Sequence, residues 1–157
     1  MRYATGVNQR AAGRLRAQSV LAFALMVAGL AWLMFRHEIL SRRWIWIAVQ
    51  VLAVLLIVAA RLTFGRRSFH AAANPTAGGL VTTGPYRFWR HPIYAAVLYF
   101  IWAAALDYHS TPAILAAMLV TIGAAVRMYA EETLLVTAYP DYATYRARTA
   151  RVIPFVL

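Results

Sequence analysis

The stretch Ala17-Gln-Ser-Val-Leu-Ala-Phe-Ala-Leu-Met-Val-Ala-Gly-Leu-Ala-Trp-Leu-Met-Phe35 is nineteen residues long and carries no charge. As a helix rising 1.5 Å per residue it is about 28 Å long, close to the thickness of a bilayer's hydrocarbon core. Arg36-His37-Glu38 closes it. Working outward, the same pattern recurs. Residues 44–60 open with Trp44 and Trp46 at an expected interface and stop at Arg61. Residues 92–109 begin at Pro92 and end in Asp107-Tyr108-His109. Residues 112–130 follow Thr111, which reads as an N-cap with Pro112 at the first helical position. The expectation is an all-α, polytopic membrane helix bundle of about four transmembrane helices, with residues 1–157 forming one domain.

Composition excludes most other classes. Of the 157 residues 62% are hydrophobic and 13% charged, and mean hydropathy is +0.59. Soluble domains carry about 45–50% apolar and about 25% charged residues, so this chain has too little polar surface to cover its apolar side chains in water. The 16 basic residues are all arginine and face five acidic ones, for a net charge of +11. In a polar chain that balance would indicate nucleic acid. Here the arginines flank apolar runs, which suits lipid headgroups and topology instead. With no cysteine, thiolate chemistry and Cys-ligated metal are excluded.

Arginine placement gives an orientation. Four arginines precede the first span, five lie in the 61–92 connection and four follow Val126; Arg36, Arg42 and Arg43 are the remaining three. Thirteen against three predicts that both termini and the 61–92 connection face the cytoplasm of an inner membrane. That connection is long for a loop between packed spans, and Phe64, Phe69, Tyr86, Phe88 and Trp89 argue against disorder. An ordered cytoplasmic cap is expected there.

Ionisable groups at membrane boundaries are the natural functional candidates. One cluster is Arg87-Phe-Trp-Arg90-His91-Pro92-Ile93-Tyr94. A helix starting at Pro92 presents free N–H groups and positive dipole to an anion, and Arg90 and His91 add donors. The second cluster is Arg127-Met-Tyr-Ala-Glu131-Glu132. Arg127 and Glu131 share a helix face, while Glu132 lies about 100° round the helix and reads as solvated. The first cluster taken alone also reads as an interfacial anchor, and the second as a plain Arg127–Glu131 ion pair. The tail, Tyr139-Pro140-Asp141-Tyr142 through Tyr145-Arg146 to Arg151, reads as an interfacial helix or as an aromatic wall closing a pocket.

Together these blocks resemble the isoprenylcysteine carboxyl methyltransferase family, one of the phospholipid N-methyltransferase-like integral membrane enzymes, in a short prokaryotic-type form. The carrying residues are Leu80-Val-Thr-Thr-Gly84-Pro-Tyr86, Arg90-His91-Pro92-Ile-Tyr94, Arg127 with Glu131-Glu132, Tyr142 with Tyr145, and Val152-Ile-Pro154. The likeness covers roughly residues 76–157; the first two spans share only hydrophobicity, and Tyr139-Pro140 stands where many members have Phe-Gly. The resemblance implies S-adenosylmethionine as methyl donor, with S-adenosylhomocysteine as product. Leu80, Val81, Tyr86, His91, Pro92, Ile93, Tyr94 and Glu131 are the implied cofactor contacts. Arg127 is implied to orient the methyl acceptor, a lipophilic or lipid-like molecule whose accepting group can be a carboxylate, a thiol or an amine; the carboxylate is favoured because it needs no base. No metal is required for such a displacement.

Two other readings stand beside this one. A sterol-reductase-like, NADPH-dependent membrane enzyme has somewhat similar C-terminal helices. A non-enzymatic membrane protein would use the same boundary charges as anchors.

Overall fold

The computed structural model describes residues 9–65 and 79–153. The methyltransferase-like blocks at 76–78 and from Pro154 onward, and much of the expected cap, including Phe69, lie outside the described residues. Among the described residues are five α-helices and no strand: α1 (Gln9–Phe35), α2 (Trp44–Phe64), α3 (Pro92–Tyr108), α4 (Thr111–Ala138) and α5 (Tyr142–Arg148). A 3₁₀ turn spans Gly84–Arg87. The expected helical bundle is present.

α1, α2 and α4 are long and apolar enough to cross a membrane; α3, with 17 residues, is shorter. Their outward surface is the reason a bilayer is needed. Leu21, Leu52, Leu55, Leu62 and Leu115 are all more than half exposed, and helices with such faces bury them in lipid.

The helix order across the bundle is α1, α4, α3, α2, with α1 antiparallel to α4. Lipid tails are as apolar as leucine, so helix association inside a membrane rests on close packing of small residues. Ala95, Ala96, Ala103, Ala104 and Ala105 of α3, and Ala113, Ala116, Ala117 and Ala124 of α4, are buried accordingly. Gly29 and Gly123 mark the tightest approach. A Cβ on Gly123 would lie 2.7 Å from the Ala22 carbonyl oxygen, and one on Gly29 would lie 2.7 Å from Val120 Cγ2.

Two corrections to the sequence reading concern helix ends. α4 is capped by Ser110, whose hydroxyl accepts from the Ala113 N–H at 3.1 Å, so Thr111 is the first helical residue. α1 begins eight residues before Ala17 and α4 continues past residue 130 to Ala138, because the polar turns at these ends still satisfy their backbone within the helix.

The end of the bundle carrying the α1–α2 and α3–α4 turns is locked by polar contacts. Asp107 accepts from Arg43 Nε at 2.6 Å and from the Arg42 backbone N–H. Glu38 accepts from Ser110 Oγ at 2.8 Å. Gln50, the polar residue inside span two, is buried: its amide donates to the carbonyls of Ile39 (2.9 Å) and Phe100 (3.2 Å) and accepts from the Ser41 N–H. Its role is to stitch α2 to α3 and the first turn.

At the opposite end the 3₁₀ turn lies against α2. Gly84 has φ +56, and a Cβ there would meet Thr63 Oγ1 at 2.5 Å, so glycine is required both for the backbone angle and for the approach.

Gly123→Ala is expected to lower the unfolding temperature by several degrees, since overpacking costs about 1–3 kcal/mol and the clash is with backbone. Gly13→Ala, where a Cβ meets nothing within 4 Å, should be neutral or stabilising in the same thermal melt. Equal effects would refute the α1–α4 contact.

Candidate active site

A cavity of about 330 Å³ opens at the arginine-rich end of the bundle, within the range of small-molecule sites, about 300–1,000 Å³. All nine residues singled out by the sequence line it: Leu80, Val81, Tyr86, His91, Pro92, Ile93, Tyr94, Arg127 and Glu131. Each arrives for a local reason. Leu80 and Val81 lie in the segment before the 3₁₀ turn, and Tyr86 is the buried residue of that turn. His91 is the N-cap of α3, Pro92 occupies the first turn without needing a donor, and Tyr94 comes on the same turn. Arg127 and Glu131 stand one turn apart on α4.

These side chains form one polar network. The Tyr94 hydroxyl donates to Glu131 Oε1 at 2.5 Å and accepts from Arg127 Nε at 2.6 Å. Arg127 Nη2 lies 3.4 Å from Glu131 Oε1, and its Nη1 donates to the Ser19 carbonyl of α1 at 3.0 Å. The guanidinium carbon sits 5.0 Å from the Phe23 ring centroid and 5.7 Å from that of Tyr94, a cation–π placement on both sides. Arg127 is thus buried and fixed in direction.

Glu132 corrects the sequence reading most sharply. It is 4% exposed, not solvated. Its carboxylate accepts from Arg151 Nη2 at 2.8 Å and Nε at 3.0 Å, from His91 Nε2 at 3.1 Å and from Arg90 Nε at 3.4 Å. Arg146 Nε is 3.8 Å away. A buried carboxylate is tolerable only with such compensation. The 100° turn that takes Glu132 off the Glu131 face points it into the α3 start and the tail, which sequence spacing alone did not place there.

Arg90 is likewise not a cavity donor in the way its position suggested. Its Nη1 donates to the carbonyls of Arg146 (2.7 Å) and Thr149. Backbone pairing of Arg90 N–H to Ala150 O at 2.7 Å and Ala150 N–H to Phe88 O at 3.0 Å completes the clasp. The tail is folded back onto the loop before α3.

In that clasp Tyr139, Tyr142 and Tyr145 form an aromatic wall of the cavity, and the tail carries the short helix α5. The Tyr145 hydroxyl donates to the Tyr86 carbonyl at 2.7 Å. Burial pushes the Tyr86 phenol up to about 12 and raises those of Tyr142 and Tyr145 as well, so all three remain protonated donors at neutral pH. The Tyr142 hydroxyl is buried and has no hydrogen-bond partner among the described residues.

The sequence reading missed α1. Phe23, Met26, Val27 and Leu30 line the cavity at i, i+3, i+4 and i+7, one face of a helix. Uniform hydrophobicity along α1 hides that face, because lipid-facing and cavity-facing positions carry the same residue types.

Glu132→Gln should destabilise the fold on the order of 3 kcal/mol, the cost of removing one partner from a buried ion-pair cluster. Thermal unfolding of the detergent-solubilised protein checks this; an unchanged melting temperature would contradict the clasp.

The site geometry can be set beside known families. The family described as phospholipid methyltransferase matches residues 42–142. The match takes in α2, the 3₁₀ turn, α3, α4 and the first tail residues; it therefore reaches further towards the N-terminus than the 76–157 likeness read from motifs. Neither a curated protein nor a solved structure matches the chain significantly. The family match favours methyl transfer over the reductase and purely anchoring readings, and methyltransferases of this kind generally use S-adenosylmethionine. The chain belongs to the phospholipid methyltransferase family, as an integral membrane methyltransferase.

Proposed function

We propose that the chain transfers the methyl group of S-adenosylmethionine to a lipophilic acceptor bearing a carboxylate, such as an S-prenylated cysteine. The observation that carries this reading is one cavity with two chemical ends. Glu131, His91, Arg127 and Tyr94 supply a charged, hydrogen-bonding end; Phe23, Met26, Val27, Leu30 and Val97 supply an apolar wall.

The residues present suit the cofactor. Its methionine end is zwitterionic. Glu131 is the carboxylate for the ammonium, being the less buried of the two glutamates, with a side chain 23% exposed. The α3 start supplies the donors for the carboxylate. His91 Nε2–H is committed to Glu132, and its Nδ1 lies 3.7 Å from Glu131 Oε2, so Nδ1 is the atom on the cavity side. Leu80, Val81, Tyr86, Pro92 and Ile93 give the apolar contacts, and the orphaned Tyr142 hydroxyl is a waiting hydrogen-bond partner.

When bound, the cofactor supplies an electrophilic methyl group. The protein's work is then alignment and water exclusion. A carboxylate acceptor is already nucleophilic and needs no base. Arg127 is held by Tyr94, Ser19 and the Phe23 ring, and its positive charge at the cavity would orient a carboxylate. A thiol or amine acceptor would need a base; Glu131 already accepts from Tyr94, which leaves His91 Nδ1 as the candidate.

Orientation follows the arginine bias: the cavity end of the bundle, with both termini, faces the cytoplasm of the inner membrane. Cysteines introduced at Leu40 and Thr144, both exposed and at opposite ends of the bundle, should be modified by a membrane-impermeant reagent from opposite faces of the membrane. Labelling of both from outside intact cells would overturn this.

Glu131→Gln should weaken S-adenosylhomocysteine binding about ten- to hundredfold in calorimetric titration, the worth of a charge-assisted contact. Arg127→Lys should leave that affinity nearly unchanged while turnover of an S-prenylated cysteine at saturating cofactor falls by about 100-fold or more, since the interaction is used only to orient the acceptor. Loss of cofactor binding in Arg127→Lys would reverse the assignment.

A further inference from the structure

A second concavity lies outside the tail clasp. It is lined by Arg90, Ala143, Arg146, Ala147 and Arg151, and Arg90 is the one residue it shares with the candidate active-site cavity. Ala143, Arg146 and Ala147 lie on one face of α5 at i, i+3 and i+4. The alanines leave the space open, and the arginines border it.

The charge balance there is lopsided. Arg90 Nε, Arg146 Nε and Arg151 Nη2 lie 3.4, 3.8 and 2.8 Å from the Glu132 carboxylate. Glu132 is the carboxylate they share among the described residues, so three guanidinium groups converge on one negative charge, which also meets His91. Two positive charges are left over. The donors are not used up either. Arg146 makes no hydrogen bond through its guanidinium among the described residues, and its side chain is 51% exposed. Arg151 spends Nε and Nη2 on Glu132 and is 43% exposed. Like charges held this close repel one another unless an anion joins them.

We propose that this notch binds a phosphate group, separately from the methyl-transfer cavity. A phosphate carries about one to two negative charges, which matches the surplus. Its several acceptor oxygens match planar guanidinium forks, which bind phosphate bidentately. The notch also lies at the arginine-rich end of the bundle, and basic side chains next to a membrane helix attract anionic headgroups. Such a ligand would reinforce the clasp that Glu132 makes between α4, the α3 start and the tail.

The test uses the full chain in neutral detergent and reads thermal unfolding, which rises when a ligand binds the folded state. One arm titrates inorganic phosphate against sodium chloride of equal ionic strength. The other adds mixed micelles containing phosphatidylglycerol against micelles containing an uncharged glycolipid. A saturable rise of several degrees with inorganic phosphate supports a site that takes the free ion. A rise with phosphatidylglycerol alone supports the same site taking a lipid headgroup. Arg146→Gln removes a guanidinium and Ala147→Leu fills the notch without changing charge. Both should abolish the rise while leaving S-adenosylhomocysteine affinity as in the parent protein. No saturable rise in either arm, or a rise that survives both substitutions, overturns the proposal.

Discussion

A carboxylate buried at the end of a membrane helix has to be met by positive charge, and meeting Glu132 organises the functional half of this protein. Desolvating one carboxylate costs several kcal/mol in real proteins. Arg151, His91 and Arg90 offset that cost from three directions. They belong to the tail, the start of α3 and the loop before it, so satisfying one charge joins three separate chain segments to α4. The aromatic wall of Tyr139, Tyr142 and Tyr145 then stands where it does because the tail has been drawn back over the bundle.

The two adjacent glutamates divide their work by helix geometry. A step of about 100° sends Glu132 into the clasp and leaves Glu131 at the cavity with Tyr94 and Arg127. His91 sits between them, with Nε2 towards Glu132 and Nδ1 towards Glu131. A structural ion-pair cluster and a ligand-facing cluster thus share an imidazole, and the orientation of that ring is fixed from the structural side. A hydrogen bond at one ring nitrogen orients the other in many functional histidines.

α1 has a place in this arrangement that the family match, which starts at residue 42, does not include. It packs antiparallel on α4 through Gly29 and Gly123, its Ser19 carbonyl anchors Arg127, and its Phe23–Leu30 face closes the cavity's apolar side. The family-matched portion supplies the polar end of the cavity, and α1 supplies much of the apolar one.

Sequence alone determined what local rules govern. The four apolar runs, their boundaries at arginine and tryptophan, and the start of α3 at Pro92 are set by hydrophobic length and backbone chemistry, which are read within a few residues. The nine cavity residues were legible through the family resemblance carried by the motifs around Tyr86, Pro92, Tyr94, Arg127 and Glu131; spacing alone left those clusters open to other readings. The tertiary structure decided what depends on partners distant in the chain. Glu132 looked solvated because its partners Arg90 and Arg151 lie 42 and 19 residues away. Ser110 took the cap from Thr111 because the hydroxyl three residues before the Ala113 N–H is the one that reaches it. The cavity face of α1 was invisible for a simpler physical reason: in a membrane, side chains that face lipid and side chains that face an apolar ligand are the same, and only packing tells them apart.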